Sequence, residues 1–80
     1  MLSREQLRMA RAALGWGLKD LAERAGVGVN TIGRFENGAD AYGETLRKIE
    51  AALEAEGIQF GKDPDGTVWV GVRPSGPIRN

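Results

Sequence analysis

Hydrophobic residues recur every three to four positions through the first two thirds of the chain and every second position after Gly57. A period of 3.6 is typical of amphipathic helices, and a period of 2 is typical of half-buried strands. The pattern therefore predicts a mainly α fold, in which a C-terminal β-hairpin follows a four-helix bundle. Glycines close the four predicted helices, at Gly15, Gly26, Gly38 and Gly57.

The first and fourth helices have recognisable ends. Ser3 and Gln6 have the spacing of a capping box, in which each side chain accepts the backbone N–H of the other residue. The fourth helix is predicted from about Glu44 to Glu56, with Gly57 as its stop.

Residues 18–38 carry the most specific pattern in the chain. One helix ends at Gly26, which suits the left-handed conformation of a helix terminus. A second helix follows with polar residues at its front. A helix, a short turn that contains glycine and a second helix form a helix-turn-helix unit. Such a unit holds its second helix where it can enter a DNA major groove.

This chain resembles the Cro/repressor type (XRE-like) of helix-turn-helix proteins. The matching segments are Leu21-Ala22, Ala25-Gly26-Val27, Thr31-Ile32 and Phe35-Glu36-Asn37-Gly38, with Arg11 and Leu14-Gly15-Trp16 upstream. The resemblance covers roughly residues 3–57 and is greatest to small bacterial single-domain members with a strand-forming tail. It implies a sequence-specific transcriptional regulator that binds double-stranded DNA and is expected to be a repressor. A homodimer of such a domain would bind a palindromic operator, because it would place two recognition helices one turn of DNA apart.

The third helix carries the candidate base-reading residues, which are Val29, Asn30, Thr31 and Arg34. Arginine can donate two hydrogen bonds to guanine, asparagine can pair with adenine, and valine can contact a thymine methyl group. The alternative is an ordinary solvated helix face, since polar residues are usual on the outside of a protein.

The resemblance implies roles for five further residues. Lys19, at the start of the second helix, and the bend at Asn37 and Gly38 would position DNA phosphates. An exposed surface lysine is the alternative interpretation of Lys19. Arg11 and Glu36 would form a structural ion pair between the first helix and the end of the third.

The residues after Gly57 predict two strands, at about 58–61 and 67–72, joined by a turn at 63–66. Two strands alone are marginal in water, and a free strand edge invites another chain. We therefore expect the hairpin to form the dimer contact; the alternative is that it folds back onto its own helices. The candidate dimerisation residues are Phe60, Val68, Trp69, Val70 and Val72.

A length of 80 residues fits one compact unit. We expect a helix-turn-helix DNA-binding domain at 1–57, a hairpin at 58–73 and a flexible tail at 74–80. The chain has no Cys and no His. Their absence removes disulfides, most zinc chemistry and most general-base catalysis, so we expect no enzyme, no metal and no cofactor. Without a membrane-length apolar run or a signal-peptide pattern, a cytoplasmic protein is expected, with no membrane partner.

The net charge is zero, but its distribution is uneven. Residues 1–37 contain six basic and four acidic residues, whereas residues 38–56 contain two basic and five acidic residues. Positive charge thus lies in the half that is predicted to face DNA, although the bias is mild. A second hypothesis remains open: a protein-interaction module such as an antitoxin-like partner, with DNA binding weak or secondary.

Overall fold

A computed structural model describes residues 2–74; apart from Pro74, the predicted flexible tail at 74–80 lies outside the described residues. The elements are α1 (Arg4–Leu14), α2 (Leu18–Ala25), α3 (Val29–Glu36), α4 (Gly43–Glu54), β1 (Ile58–Lys62) and β2 (Val68–Val72). The predicted fold class, a mainly α bundle with a C-terminal hairpin, is confirmed. None of the helices in this range has the length and apolarity that a membrane span requires.

One hydrophobic core joins all four helices and the first strand. Its largest fully buried side chains are Leu7, Leu21, Ile32, Ile49, Leu53 and Ile58. Helix α2 packs against α3 and α4, while α1 packs against α3 and β2. The short helix α3 has a glycine N-cap, Gly28, and a second glycine, Gly33, in its interior. Both choices weaken an isolated helix, so α3 depends on this packing for its shape.

The first helix begins with the predicted capping box. Ser3 Oγ accepts the N–H of Gln6 at 3.1 Å, and Gln6 Oε1 accepts the N–H of Ser3 at 3.0 Å. The Gln6 amide also donates to the carbonyl oxygens of Gly61, at 3.0 Å, and Trp69, at 3.2 Å. Only 4% of Gln6 is exposed. This one buried side chain therefore joins the start of α1 to both strands of the hairpin.

The fourth helix spans Gly43–Glu54 rather than the predicted range of about Glu44 to Glu56. It begins one residue earlier and ends two residues earlier than predicted. The N–H groups of Glu56 and Gly57 donate to carbonyls three residues earlier, each at 3.0 Å. Bonds of this spacing tighten the end of a helix into a 3₁₀-like turn. Gly57 follows with a φ of 91°, a conformation that favours glycine, and it turns the chain into β1.

The strands pair antiparallel, with Phe60 opposite Val70 and Gly61 opposite Trp69. Because side chains alternate along a strand, these two pairs lie on opposite faces of the sheet. Phe60 and Val70 pack against the core. On the outer face, the Trp69 indole covers Gly61 so closely that a Cβ there would overlap the ring. The glycine thus allows the indole to lie against the strand.

The turn between the strands is closed by several hydrogen bonds. The N–H of Gly66 donates to the Asp63 carbonyl at 2.9 Å, and the N–H of Asp63 donates to the Thr67 carbonyl at 2.8 Å. The N–H of Thr67 donates to the Asp65 carboxylate at 2.9 Å and lowers the pKa of that carboxyl. A lowered pKa means that this bond contributes at neutral pH and is lost as the pH falls through the folded-state value.

The role of Gln6 can be tested with a matched pair of glutamine variants. Gln6→Ala removes three hydrogen bonds at a buried position, so we expect the free energy of unfolding to fall by about 2–3 kcal/mol. Gln59→Ala, on the exposed outer face of the hairpin, is expected to change it by about 0.5 kcal/mol or less. Urea denaturation measures both values, and equal midpoints for the two variants would contradict the role of Gln6.

Candidate nucleic-acid interface

Helix α3 has a buried side and an exposed side. Ile32 and Glu36 are buried, whereas Val29, Asn30 and Arg34 are exposed. Asn30 and Arg34 are four residues apart, so the helical period puts them on one outer face. Val29, the first residue of the helix, is 42% exposed. Three of the four predicted base-reading residues therefore lie on one surface that solvent can reach.

The turn before α3 fixes how the two helices of the unit meet. Gly26 has a φ of 68°, and its N–H donates to the Ala22 carbonyl at 2.9 Å. The N–H of Val27 donates to the same carbonyl at 3.1 Å. Residues with a side chain rarely adopt this φ, so the glycine allows the chain to leave α2 sharply. The Val27 side chain then packs against the core and holds the turn in place.

The start of α2 carries charges of both signs. Lys19 is exposed, as a phosphate contact requires. Its neighbour Asp20 accepts the N–H of Gly17 at 2.8 Å. The Asp20 carboxylate therefore occupies an N–H group and offsets the positive end of the helix dipole, the two features that attract phosphate to a helix start. Lys19 adds a positive charge at the same helix start.

The structure brings Arg11 and Glu36 together in a bidentate ion pair. Arg11 Nε lies 2.6 Å from Glu36 Oε2, and Arg11 Nη2 lies 2.7 Å from Glu36 Oε1. Arg11 Nη1 donates to the Trp16 carbonyl at 2.9 Å. The hydrogen bonds that Arg11 donates to the Glu36 carboxylate raise the pKa of Arg11, so the guanidinium stays charged. One side chain of α1 thus holds the end of α3 and the turn before α2.

A second arginine of α1 reinforces the same end of α3. Arg8 donates to the backbone carbonyl of Glu36, and its Nε lies 4.0 Å from Glu36 Oε1. The last carbonyls of a helix have no partner within the helix and carry partial negative charge, so a guanidinium stabilises them. The guanidinium groups of Arg8 and Arg11 therefore both lie at the C-terminal end of α3.

The bend after α3 uses its backbone amides internally. The N–H of Asn37 donates to the Gly33 and Arg34 carbonyls, and the N–H of Gly38 donates to the Phe35 carbonyl at 3.1 Å. The resemblance assigns this bend to phosphate, and both of its amides bond carbonyls of the helix end. The Asn37 side chain is exposed at this bend and can donate to a phosphate.

A groove of about 440 Å³ lies between α3 and the start of α4. Its lining residues are Thr31, Arg34, Asp40, Ala41, Tyr42 and Thr45. Tyr42, the N-cap of α4, is 86% exposed, and it brings an aromatic ring to the same concavity as Arg34. Nothing in the periodicity points to Tyr42, because it lies in a loop. The available signal was an aromatic residue in an otherwise small and polar segment.

The hairpin divides the predicted dimerisation residues into two groups. Phe60 and Val70 pack against the core of their own chain, and Val68 is half-buried. Trp69 is 43% exposed and Val72 is 55% exposed. The first group thus folds back onto the helices of its own chain, which is the alternative that the sequence left open. Trp69 and Val72 are left accessible to another molecule.

The sequence model of the helix-turn-helix family matches residues 7–57, which end where β1 begins. The chain belongs to this family, as a Cro/repressor (XRE-like) member. No individual curated protein shows a significant match to it.

Membership of the XRE-like family makes the chain a DNA-binding regulator. The helix-turn-helix unit consists of α2 and α3, and the free face of α3 is the face that a major groove can receive. Within residues 2–74, no three residues among His, Cys, Asp and Glu lie close enough together to hold a metal ion.

Replacement of Arg11 tests how the XRE-like domain holds α3. Arg11→Met leaves the Glu36 carboxylate buried without its partner, so we expect the free energy of unfolding to fall by about 3 kcal/mol. The double variant Arg11→Met/Glu36→Leu should lose less, because no buried charge is left unpaired. Thermal and urea unfolding measure both effects.

The matched control is Arg24→Met. Arg24 Nη1 lies 3.3 Å from Glu56 Oε2, and its guanidinium lies 4.9 Å from the Trp16 ring centroid, but the ion pair is exposed. Such contacts together contribute about 1 kcal/mol. An Arg11→Met variant no less stable than Arg24→Met would contradict the proposed anchoring of α3.

Proposed function

We propose that this protein is a sequence-specific transcriptional repressor that binds a palindromic operator as a homodimer and blocks a promoter by occupying it. The observation that carries the proposal is the division of α3 into two sides. Ile32 and Glu36 fix its inner side, while Asn30 and Arg34 stand free on its outer side. A helix held in this way can enter a major groove without rearrangement of the domain.

The outer face supplies the chemistry for base recognition. The Arg34 guanidinium can donate to O6 and N7 of guanine, and the Asn30 amide can pair with N6 and N7 of adenine. Val29 offers a methyl surface to thymine. Thr31 faces the groove that also contains Tyr42, so it assists from the α4 side. Each well-placed contact contributes about 1–3 kcal/mol of discrimination between bases.

Phosphate contacts flank this face. Lys19 lies at the start of α2, and the Asn37 side chain lies at the bend after α3. Arg4 adds positive charge to the same bend, since its Nη1 lies 3.2 Å from where a Cβ of Gly38 would stand. Contacts on both sides of α3 would set the register of the domain on the duplex, while the bases supply specificity.

The accessible part of the hairpin supports a dimer. Within the described residues the sheet has two strands, so β2 keeps one edge without a strand partner. Trp69 exposes apolar surface on the outer face of this strand, and Val72 exposes it on the face of Val70. A second copy that pairs along the free edge of β2 about a two-fold axis would contact both residues. Two α3 helices about 34 Å apart would then meet successive major grooves on one side of the duplex.

A net charge of zero favours the second candidate, a module that acts chiefly through a protein partner. Salt dependence separates the two functions. Binding through several phosphate contacts weakens steeply as salt rises, whereas a largely apolar protein contact does not. A DNA affinity that does not change with salt concentration, or a lack of DNA binding even at low salt, would favour the protein-partner function.

Alanine variants of Arg34 and Lys19 test the assigned roles on a duplex selected by the wild type from random DNA. Arg34→Ala should weaken binding by about 1–3 kcal/mol and relax the preference at one base position. Lys19→Ala should weaken all duplexes about equally and reduce the salt slope by about 1. Fluorescence anisotropy over a salt series measures these changes.

Lys62→Ala is the matched control, because Lys62 is an exposed lysine on β1, away from α3. It should leave both the affinity and the base preference unchanged. Unaltered operator binding by both Arg34→Ala and Lys19→Ala would show that α3 does not bind the operator.

Sedimentation equilibrium at micromolar concentration tests the dimer. The wild type should show twice the 8.6 kDa mass of one chain, and Val72→Lys should show the single mass, because it places a charge in the proposed contact. Met9→Lys alters a residue of α1 that is also partly exposed, and it should remain a dimer. A wild type with the mass of one chain would overturn the dimer.

A further inference from the structure

Gly33 lies in the middle of α3, where glycine weakens the helix relative to alanine. The fold gives no reason for this choice. Its φ is not positive, and a Cβ built there would meet, outside its own helix, the Cδ1 atom of Leu18 at 3.7 Å. That distance is ordinary van der Waals contact. Alanine would therefore fit the folded domain, and the bare backbone at Gly33 calls for another explanation.

The surroundings of Gly33 connect it to the exposed face of α3. Val29 lies four residues earlier and Asn30 three residues earlier, so the helical period places both beside Gly33 on the surface. Arg34 follows directly. Leu18, half-buried at the start of α2, stands on the other side. The bare backbone of Gly33 thus lies between Leu18 and Val29, at the edge of the surface that presents Asn30 and Arg34, and we call this position, defined by Gly33, Leu18 and Val29, the Gly33 notch.

We propose that the Gly33 notch receives the 5-methyl group of a thymine in the operator, beside the base that Arg34 contacts. This inference rests on the proposed function. The thymine methyl is the apolar group that base pairs present in the major groove, and Leu18 and Val29 supply an apolar surface for it. Glycine lets the helix backbone approach a ligand closely, where a Cβ would occupy the space of the methyl group.

Gly33 then determines specificity by the absence of a side chain. Alanine at this position would stabilise the fold, but its methyl group would take the space that the thymine methyl group fills. Stability and operator binding should accordingly respond in opposite directions to the same substitution. A purely structural role for Gly33 predicts no such opposition.

The test uses the duplex that the wild type selects from random DNA, together with copies in which one thymine at a time is replaced by deoxyuridine. This replacement removes the methyl group and leaves the hydrogen-bonding edge intact. For the wild type, binding should weaken about fourfold at one thymine in each half-site, as burial of a single methyl group predicts. Deoxyuridine in the flanking sequence is the control and should have no effect.

Gly33→Ala supplies the second arm of the experiment. Its melting temperature should rise by about 4–8 °C, which shows that the variant is folded. Its affinity for the thymine duplex should fall by about tenfold, as expected for an extra methyl group in a filled contact. It should also bind the thymine and deoxyuridine duplexes equally.

Two results would overturn the inference and leave the proposed function standing. One is a selected duplex in which no thymine methyl affects binding, and the other is a Gly33→Ala variant that binds the thymine duplex as tightly as the wild type. Failure to select any duplex would overturn the proposed function, and this inference with it.

Discussion

The Glu36 carboxylate fixes the position of α3, and that position determines which side of the helix is exposed. Arg11 pairs with this carboxylate through two hydrogen bonds, and Arg8 bonds the backbone carbonyl of the same residue. A bidentate pair defines direction as well as distance, because both donors of a planar guanidinium must meet both oxygens. The helix is thereby oriented from its inner, C-terminal end, and its outer side needs no contact with the rest of the fold.

This external support matters because α3 is a weak helix by itself. It has eight residues, a glycine N-cap and an interior glycine. Helices of this length are unstable in isolation, so tertiary contacts determine whether they form. Ile32 in the core and Glu36 in the ion pair supply those contacts on one side. The residues on the other side make no contact that the fold requires, and Gly33 in the interior lowers the helix propensity of α3 further.

Features that depend on neighbours in the sequence could be predicted. The capping box of Ser3 and Gln6 and the sharp end of α2 at Gly26 follow from short-range rules, and the structure shows both. The alternation after Gly57 likewise predicted two strands, with bounds within one residue of those observed. Arg11 and Glu36 were paired through family resemblance, since 25 residues separate them and no periodicity connects the two positions.

Features that depend on distant contacts could not be predicted. The Gln6 amide bonds carbonyls 55 and 63 residues away, and no local pattern records such a contact. Alternation placed Val70 and Trp69 on different faces, but only packing against α1 and α4 decides which face is inside. The exposure of Tyr42 follows from the path of the loop before α4. The internal hydrogen bonds of the Asn37 and Gly38 amides follow from how α3 ends.

The most direct test of the account follows the backbone amides of ¹⁵N-labelled protein by NMR while the selected duplex is added. The account predicts that the largest shifts fall on residues 29–34, with smaller shifts near Lys19 and Asn37 and little change in β1. Shifts confined to the hairpin, with the amides of α3 unchanged, would contradict the claim that the outer face of this helix binds DNA.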